Sequence, residues 1–316
     1  MGKLPFETIK REILIKKASA ANFGIAPESR STDILLDYGV INIDKPKGPT
    51  SHQVSDYVQR ALNIKKSGHS GSLDPGVTGV LPVAIGRATR IVEALLKSGK
   101  EYIGIMHLHK DVSEQELADA VKKFIGKIRQ MPPLKSAVKR QERTREVYFF
   151  EIIERDRKDV LFTTGVEAGT YIRKLIHDMG KKLGGAHMAE LRRTKAGAFT
   201  EKSIVTLQDL ADAFYYYKKG NDKFLRHCIQ PIETAVVHLP KIWVLDSTIH
   251  TLVHGVDLKT PGLSKLESNI NIKDTVAVMT LKNELIAVGI AKMTSQEMMT
   301  KDKGICVEIN KVFMKA

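Results

Sequence analysis

The chain has 316 residues, a length that at roughly 100–200 residues per domain favours two domains over one. Hydrophobic residues at 42% and charged residues at 27% exclude a disordered, fibrous or low-complexity chain and indicate a folded, soluble protein. Fifty Lys and Arg against 36 Asp and Glu leave a net charge of +14, which points to a polyanionic partner.

In chain order, the first 20 residues carry Lys3, Lys10, Arg11, Lys16 and Lys17 and no apolar h-region, so no secretory signal is expected. No stretch approaches the roughly 18 apolar residues of a membrane span. A glycine-rich run follows, Gly68-His69-Ser70-Gly71-Ser72-Leu73-Asp74-Pro75-Gly76-Val77-Thr78-Gly79, leading into the apolar Val80-Leu81-Pro82-Val83-Ala84-Ile85. Asp74-Pro75-Gly76 reads as a β-turn, and equally as an acid held rigidly where glycines let a substrate approach.

Leu117, Val121 and Phe124 recur at helical spacing after Ser113, predicting a helix over 114–124 with Ser113 as its N-cap. Lys122 to Val147 is the densest basic block, with nine Lys and Arg against Glu142 and Glu146, half of the net charge. It reads as a solvated helix face followed by a polar loop or as a nucleic-acid surface. All Arg lies upstream of Leu239, and guanidinium forks suit phosphates, so the second reading is preferred. Strands are predicted over 148–154 and 160–164 around the turn-like Asp156-Arg157-Lys158-Asp159.

A helix is expected over 171–183, with Ile172, Leu175, Ile176 and Met179 on one face and Gly184-Gly185 as its stop. Tyr171 and Arg173 stand at its entrance. Tyr171 reads as a packing aromatic and Arg173 as a surface ion pair; if Arg173 instead met Asp74 in a desolvated pocket, it would keep that carboxylate ionised. Pro231 and Pro240 bracket a connection, and strands over 275–281, 285–292 and 304–313 suggest a small all-β module of little net charge. Cys228 and Cys306 have no ligand-like Cys or His spacing, so neither a disulfide framework nor a structural zinc is expected, and a reducing compartment fits.

The Asp74 and Arg173 segments, with Lys100-Glu101-Tyr102 and Pro132-Pro133-Leu134-Lys135-Ser136-Ala137-Val138-Lys139, resemble the TruB/dyskerin family of pseudouridine synthases. The resemblance begins at Gly39-Val40-Ile41-Asn42-Ile43-Asp44-Lys45-Pro46-Lys47-Gly48-Pro49-Thr50-Ser51 and extends through Ala186-His187-Met188-Ala189-Glu190-Leu191-Arg192-Arg193-Thr194. His254-Gly255, Thr260-Pro261-Gly262 and Lys273 to Val278 are similar to a PUA domain. Leu14 to Arg30, a short basic loop after Lys139 and Lys303-Gly304-Ile305-Cys306-Val307 point to the archaeal dyskerin branch, whose members work in box H/ACA guide-RNA particles. The loop reads Gln141-Glu142-Arg143-Thr144-Arg145-Glu146, with two acids where relatives are more uniformly basic.

The resemblance implies an α+β fold: a catalytic domain on a mixed, largely antiparallel sheet with flanking helices, plus a small all-β PUA barrel. The expected division is an N-terminal extension packing on the PUA domain (1–38), a catalytic domain (39–235) and a PUA domain (236–316). By resemblance Asp74 is the catalytic carboxylate, attacking either ribose or base; Arg173 orients it, Tyr102 stacks on the flipped base, and Tyr171 lines the pocket. His69 resembles the family histidine that helps extrude the base, and otherwise reads as a loop histidine bonded to backbone. Lys47, Lys139, Arg140, Arg192 and Arg193 are candidates for RNA contact or solvated surface charges; His177 and His187 are assigned no catalysis.

The isomerisation has no redox step and needs no energy input, so no cofactor or metal is implied. Implied partners are guide RNA, rRNA and tRNA substrates, a small zinc-ribbon Nop protein, a Gar protein and a kink-turn-binding ribosomal-type protein, at a cytoplasmic location. A stand-alone tRNA synthase acting on the T-arm and a non-catalytic RNA-binding scaffold are the alternatives. An intact set of Asp74, Tyr102, Tyr171 and Arg173 argues against the scaffold.

Overall fold

The computed structural model describes residues 2–132 and 141–315. The strands of its first part are β1 (Ile13–Ile15), β2 (Gly39–Lys45), β3 (Ser67–His69), β4 (Thr78–Ile85), β5 (Lys100–Leu108), β6 (Gly126–Gln130), β7 (Arg143–Asp156), β8 (Asp159–Val166), β9 (Ala186–Ala196), β10 (Phe199–Thr200) and β11 (Ile229–Pro231). Those of the last part are β12 (Lys241–Val244), β13 (Leu258–Lys259), β14 (Leu263–Glu267), β15 (Thr275–Met279), β16 (Leu285–Ala291) and β17 (Ile305–Val312). The helices are α1 (Pro5–Thr8), α2 (Thr32–Tyr38), α3 (Ser51–Leu62), α4 (Val92–Lys97), α5 (Glu114–Lys122), α6 (Ile172–Gly180), α7 (Leu207–Lys218), α8 (Lys223–Cys228), α9 (Asp246–Val253) and α10 (Ser295–Thr300).

Ten strands form one sheet in the order β11-β2-β4-β9-β5-β8-β7-β6, with β3 on β4 and β10 on β9. Its pairings are antiparallel except β4 with β9. Val54, Val58 and Leu62 of α3 and Leu210 of α7 pack against Ile41, Ile43 and Leu81, while Leu175, Ile176 and Met179 of α6 pack with Met106 and Phe162. The second sheet runs β1-β14-β12-β15-β16-β17-β13, with α9 and α10 beside it. Ile13, Leu14 and Ile15 of β1 pair antiparallel with Glu267, Leu266 and Lys265 of β14, so the N-terminal segment is an edge strand of this sheet. One apolar cluster spans both sheets, joining Val40, Val80 and Phe199 to Trp243, Met279 and Phe313. Beside it the buried Arg30 grips Glu233 at 2.8 Å and Glu284 at 3.2 Å. Among the described residues no helix is long and apolar enough to cross a membrane.

Local sequence explains most element limits. Ser113 caps α5 in a reciprocal box with Glu116; the helix stops at Lys122, and Phe124 follows in a tight turn bonded to the Val121 carbonyl. α6 is shorter than the 171–183 expectation. Tyr171 is its N-cap, and Lys182 and Leu183 bond back three residues to Met179 and Gly180, tightening the last turn ahead of Gly184 and Gly185 at φ +74° and +117°. The largest departure lies in the basic block. Arg143 to Glu146 are not a loop but the start of β7, paired with β6 from Gln130↔Arg143 to Lys127↔Glu146. Ladder bonds outweigh the polar composition there, and the cations are partly neutralised by Arg129–Glu142 (3.9 Å) and Arg145–Glu167 (3.3 Å).

Candidate active site

Asp74 stands on a turn closed by the Val77 N–H donating to its carbonyl at 2.9 Å, so the β-turn reading of Asp74-Pro75-Gly76 is realised. The turn is tied down from three sides. The Gly48 N–H donates to the Pro75 carbonyl (2.9 Å), and the buried Ser51 hydroxyl at the start of α3 accepts from the Leu73 N–H (2.8 Å). Lys45, at the end of β2, donates its Nζ to the carbonyls of Pro46 (2.9 Å), Val77 (2.8 Å) and Pro75 (3.3 Å). Burial lowers the Lys45 pKa, Arg193 lowers it further, and Asp74 acts in the opposite sense. Such a lysine is bound mainly by carbonyl dipoles, and it fixes the backbone on both sides of Gly76.

The register of the sheet places further groups beneath this turn. Lys45 is opposite Gly79, Gly79 opposite Arg193, and Arg193 opposite Tyr102, one row across β2, β4, β9 and β5. Gly79, at φ +100°, lets Arg193 pass: a Cβ there would lie 2.2 Å from the Arg193 carbonyl oxygen. Arg193 is 1% exposed; its Nε donates to the Val80 carbonyl at 2.7 Å, its guanidinium bonds the Tyr102 side chain, and among the described residues its Nη2 finds no hydrogen-bond partner. Burial lowers its pKa, and Tyr102 partly offsets this.

Across the turn, Arg173 in the first turn of α6 donates Nη2 to Asp74 Oδ2 at 2.5 Å, a contact between residues 99 apart. The pair is open, with 64% and 51% side-chain exposure, rather than desolvated. In that state it contributes about 0.2–1 kcal/mol, and it strengthens once a ligand displaces the water around it. Tyr171 immediately precedes α6, and its main chain is held by the side-chain amide of Gln130, the last residue of β6. His69, on β3, meets His52 of α3 edge to face with ring centroids 4.7 Å apart, and its Nδ1 accepts from the Gly71 N–H at 3.4 Å. Burial pushes the His69 pKa down to about 4, with His52 and Arg193 adding to the shift, so its ring is neutral at neutral pH.

An aspartate on a rigid turn, an arginine on its carboxylate and a tyrosine backed by a buried guanidinium form a site suited to nucleophilic attack on an electron-poor centre. Residues 59–172 match the TruB family pseudouridylate synthase N-terminal domain, 173–237 the tRNA pseudouridylate synthase B C-terminal domain, 240–313 the PUA domain and 3–55 the DKCLD domain. The chain is 56% identical to the probable tRNA pseudouridine synthase B of Pyrococcus horikoshii, over 97% of its own length and 93% of the relative's. The corresponding protein of Nanoarchaeum equitans is 52% identical over 99% and 90%. The chain belongs to the TruB family of pseudouridine synthases. Among solved structures it superposes on a chain of a Cbf5-Nop10-Gar1 complex with a TM-score of 0.94, 53% identity and coverage of 99% and 97%. A chain of an H/ACA RNP bound to a substrate RNA containing 2′-deoxyuridine gives 0.91 and 50%, again over 99% and 97%.

Placed on this TruB-family scaffold, the candidate RNA contacts separate. Lys47 is exposed beside the Asp74 turn. Lys139 and Arg140 lie outside the described residues. Arg193 is corrected: successive strand residues face opposite sides, so Arg192 and Arg193 cannot share a surface, and Arg193 is shut beneath the site away from any phosphate. Arg192, on the other face, is engaged by Asp44 (3.0 Å) and Glu201 (2.6 Å) at the edge of a cleft of about 350 Å³, which leaves little free charge for RNA. Lys45, Ser51 and Gln130 were not singled out from the sequence. Lys45 carried a signal, being a cation that continues the apolar alternation of β2, whereas Gln130 had none because its partner is 41 residues away.

Proposed function

We propose that this chain isomerises uridine to pseudouridine in RNA as the catalytic subunit of an H/ACA guide-RNA particle, with Asp74 as the nucleophile. The Asp74 carboxylate attacks the ribose or the base, and the bond between base nitrogen and ribose breaks. The base turns and rejoins the same ribose through carbon, and the bond to Asp74 breaks to return the free carboxylate; the proton leaves that carbon and the freed nitrogen takes one up, so atoms balance with no oxidant or co-reactant. Arg173 aims the carboxylate, Tyr102, engaged by Arg193, stacks on the flipped base, and Tyr171 lines the pocket. Neutral His69 enters the space that the base vacates. Lys47, with Lys139 and Arg140, meets phosphates.

The observation carrying this reading is the 2.5 Å contact between Arg173 and Asp74, two residues that only the tertiary fold unites. The guided-particle reading draws support from the likeness to structures described as Cbf5-Nop10-Gar1 and H/ACA RNP. By that likeness a Nop10-type protein and a Gar1-type protein are partners; the family resemblance adds rRNA as the principal substrate, a kink-turn-binding protein as a further partner and a cytoplasmic location. The names of the relatives favour a second substrate, tRNA, at uridine 55 of the T-arm. The working division stays at 1–38, 39–235 and 236–316, supported by the β1–β14 pairing and by the match of 240–313 to a PUA domain.

Tritium release from RNA labelled at carbon 5 of uridine tests the proposal, with tRNA alone in one arm and guide plus target RNA with the partner proteins in the other. Release in the second arm only establishes the guided particle; release from tRNA alone makes stand-alone activity primary. Asp74→Asn is expected to remove activity about a thousandfold or more while RNA binding stays within about twofold. Equal loss of binding would assign Asp74 a structural role.

A further inference from the structure

We propose that Gln130 is a positioning residue for the isomerisation, acting through the start of α6 on Arg173; the inference rests on the assignment of Asp74 and Arg173 given above. Helix starts leave N–H groups without intrahelical partners, and a Ser, Thr, Asp or Asn at the N-cap normally serves one of them. α6 has Tyr171 in that place and no side-chain cap. Gln130 supplies the fixing contact from another element. Its Oε1 accepts from the Tyr171 N–H at 3.0 Å and its Nε2 donates to the Tyr171 carbonyl at 3.2 Å, an oxygen that also accepts the first intrahelical bond, from Leu175.

The two bonds close a ring between one primary amide and the main chain of one residue, the pairing that a neighbouring strand residue would otherwise make. Gln130 is 3% exposed at the end of edge strand β6, so the amide is locked in a dry setting where a lost partner is not replaced by water. Arg173 lies two residues beyond Tyr171. Its guanidinium is largely exposed, and among the described residues its ion-pair partner is Asp74. The angle at which α6 leaves Tyr171 therefore decides where Arg173 meets the carboxylate; the apolar face of the helix seats its body on the core, and Gln130 fixes its start. A displacement of the order of 1 Å at a reacting group costs up to about a hundredfold in rate.

The test uses the full chain assembled with guide RNA and partner proteins, reading single-turnover tritium release and RNA affinity separately. Gln130→Met keeps the volume and loses both bonds. It is expected to lower the single-turnover rate about 10- to 100-fold with affinity within about twofold, and to add no further loss to that of Arg173→Lys in the double variant. An unchanged rate in folded Gln130→Met overturns the proposal, as does a loss that adds in full to that of Arg173→Lys, since a merely structural role gives additivity. If Gln130→Met does not fold, Gln130→Glu, which keeps the acceptor and loses the donor, carries the test by the same criteria. Should Arg173→Lys itself leave the rate unchanged, the site assignment fails rather than the role of Gln130.

Discussion

The two sheets treat charge in opposite ways. In the ten-stranded sheet Lys45, Lys100, Glu101 and Arg193 are all at most 5% exposed, and the cations are solvated by protein: Lys100 donates to the carbonyls of Leu95, Leu96 and Ser98 at the end of α4. Burial first, and Arg193 second, push the Lys100 pKa down to about 7. In the seven-stranded sheet the interior is Ile242, Val244, Leu252, Leu266, Val278 and Ile286, and the buried polar residues described there are the hydroxyls Thr260, Ser264, Thr280 and Ser295, with Glu284 at its margin. Buried charge is costly, and replacing it with apolar groups is often neutral or stabilising. The catalytic sheet therefore carries a cost that the other avoids, and the comparison locates chemistry in the one and packing in the other.

The strongest way to break that contrast is a pair of substitutions. Leu266→Ala is expected to cost about 2–5 kcal/mol of stability, because a fully buried side chain leaves a cavity. Arg193→Met is expected to leave the unfolding midpoint unchanged or raised while slowing isomerisation at least about tenfold through Tyr102. Denaturant unfolding and tritium release of both variants decide it; Arg193→Met unfolding as readily as Leu266→Ala would erase the distinction.

A pH series sharpens it next. His69, in the catalytic sheet, and His238, half-buried in the connection between the sheets, are both pushed down to about 4 from 6.5, by burial first and then by His52 and Arg193 for the one and Lys100, Lys241 and Arg11 for the other. The unfolded chain takes up these protons near pH 6.5 and the folded chain only near 4. Stability is thus fully present above 6.5 and falls as pH drops from 6.5 to 4, by up to about 1.4 kcal/mol per pH unit for each group and less for the part-exposed His69. Urea midpoints at pH 7, 6 and 5 measure the fall, and His238→Gln should shallow it; an identical slope in that variant would remove His238 from the account.

The smallest effect concerns surface charge. Lys47→Ala should reduce the slope of log affinity against log salt by about one, whereas Arg193→Met should leave it unchanged. A slope altered by Arg193→Met would mean that this guanidinium reaches RNA after all.

Periodicity made α5, the β7–β8 hairpin and the last three strands, β15 to β17, legible, because each is decided by residues within a few positions of one another, while β12 to β14 were not read. The same local rules misjudged Arg143 to Glu146, whose place in β7 depends on Gly126 to Gln130, beyond any local window. For the site, Asp74, Tyr102, Tyr171 and Arg173 came from motif resemblance, and the Asp74–Arg173 contact was foreseen only as a condition. The Lys45-Gly79-Arg193-Tyr102 row and the hold of Gln130 on Tyr171 were invisible, since register between distant strands leaves no mark in composition. Offering both Arg192 and Arg193 as surface cations overlooked strand alternation, which separates neighbours onto opposite faces.

The pairing of β1 with β14 also sets a timetable. Ile13 finds its partner Glu267 only after about 250 further residues have been made, roughly 12–50 s at ~5–20 residues per second. Until then the beginning of the chain trails as an unpaired strand with Leu14 uncovered, while the catalytic sheet can already close behind it. An interrupted translation product that stops short of Glu267 thus leaves the ribosome with its first segment still unpaired.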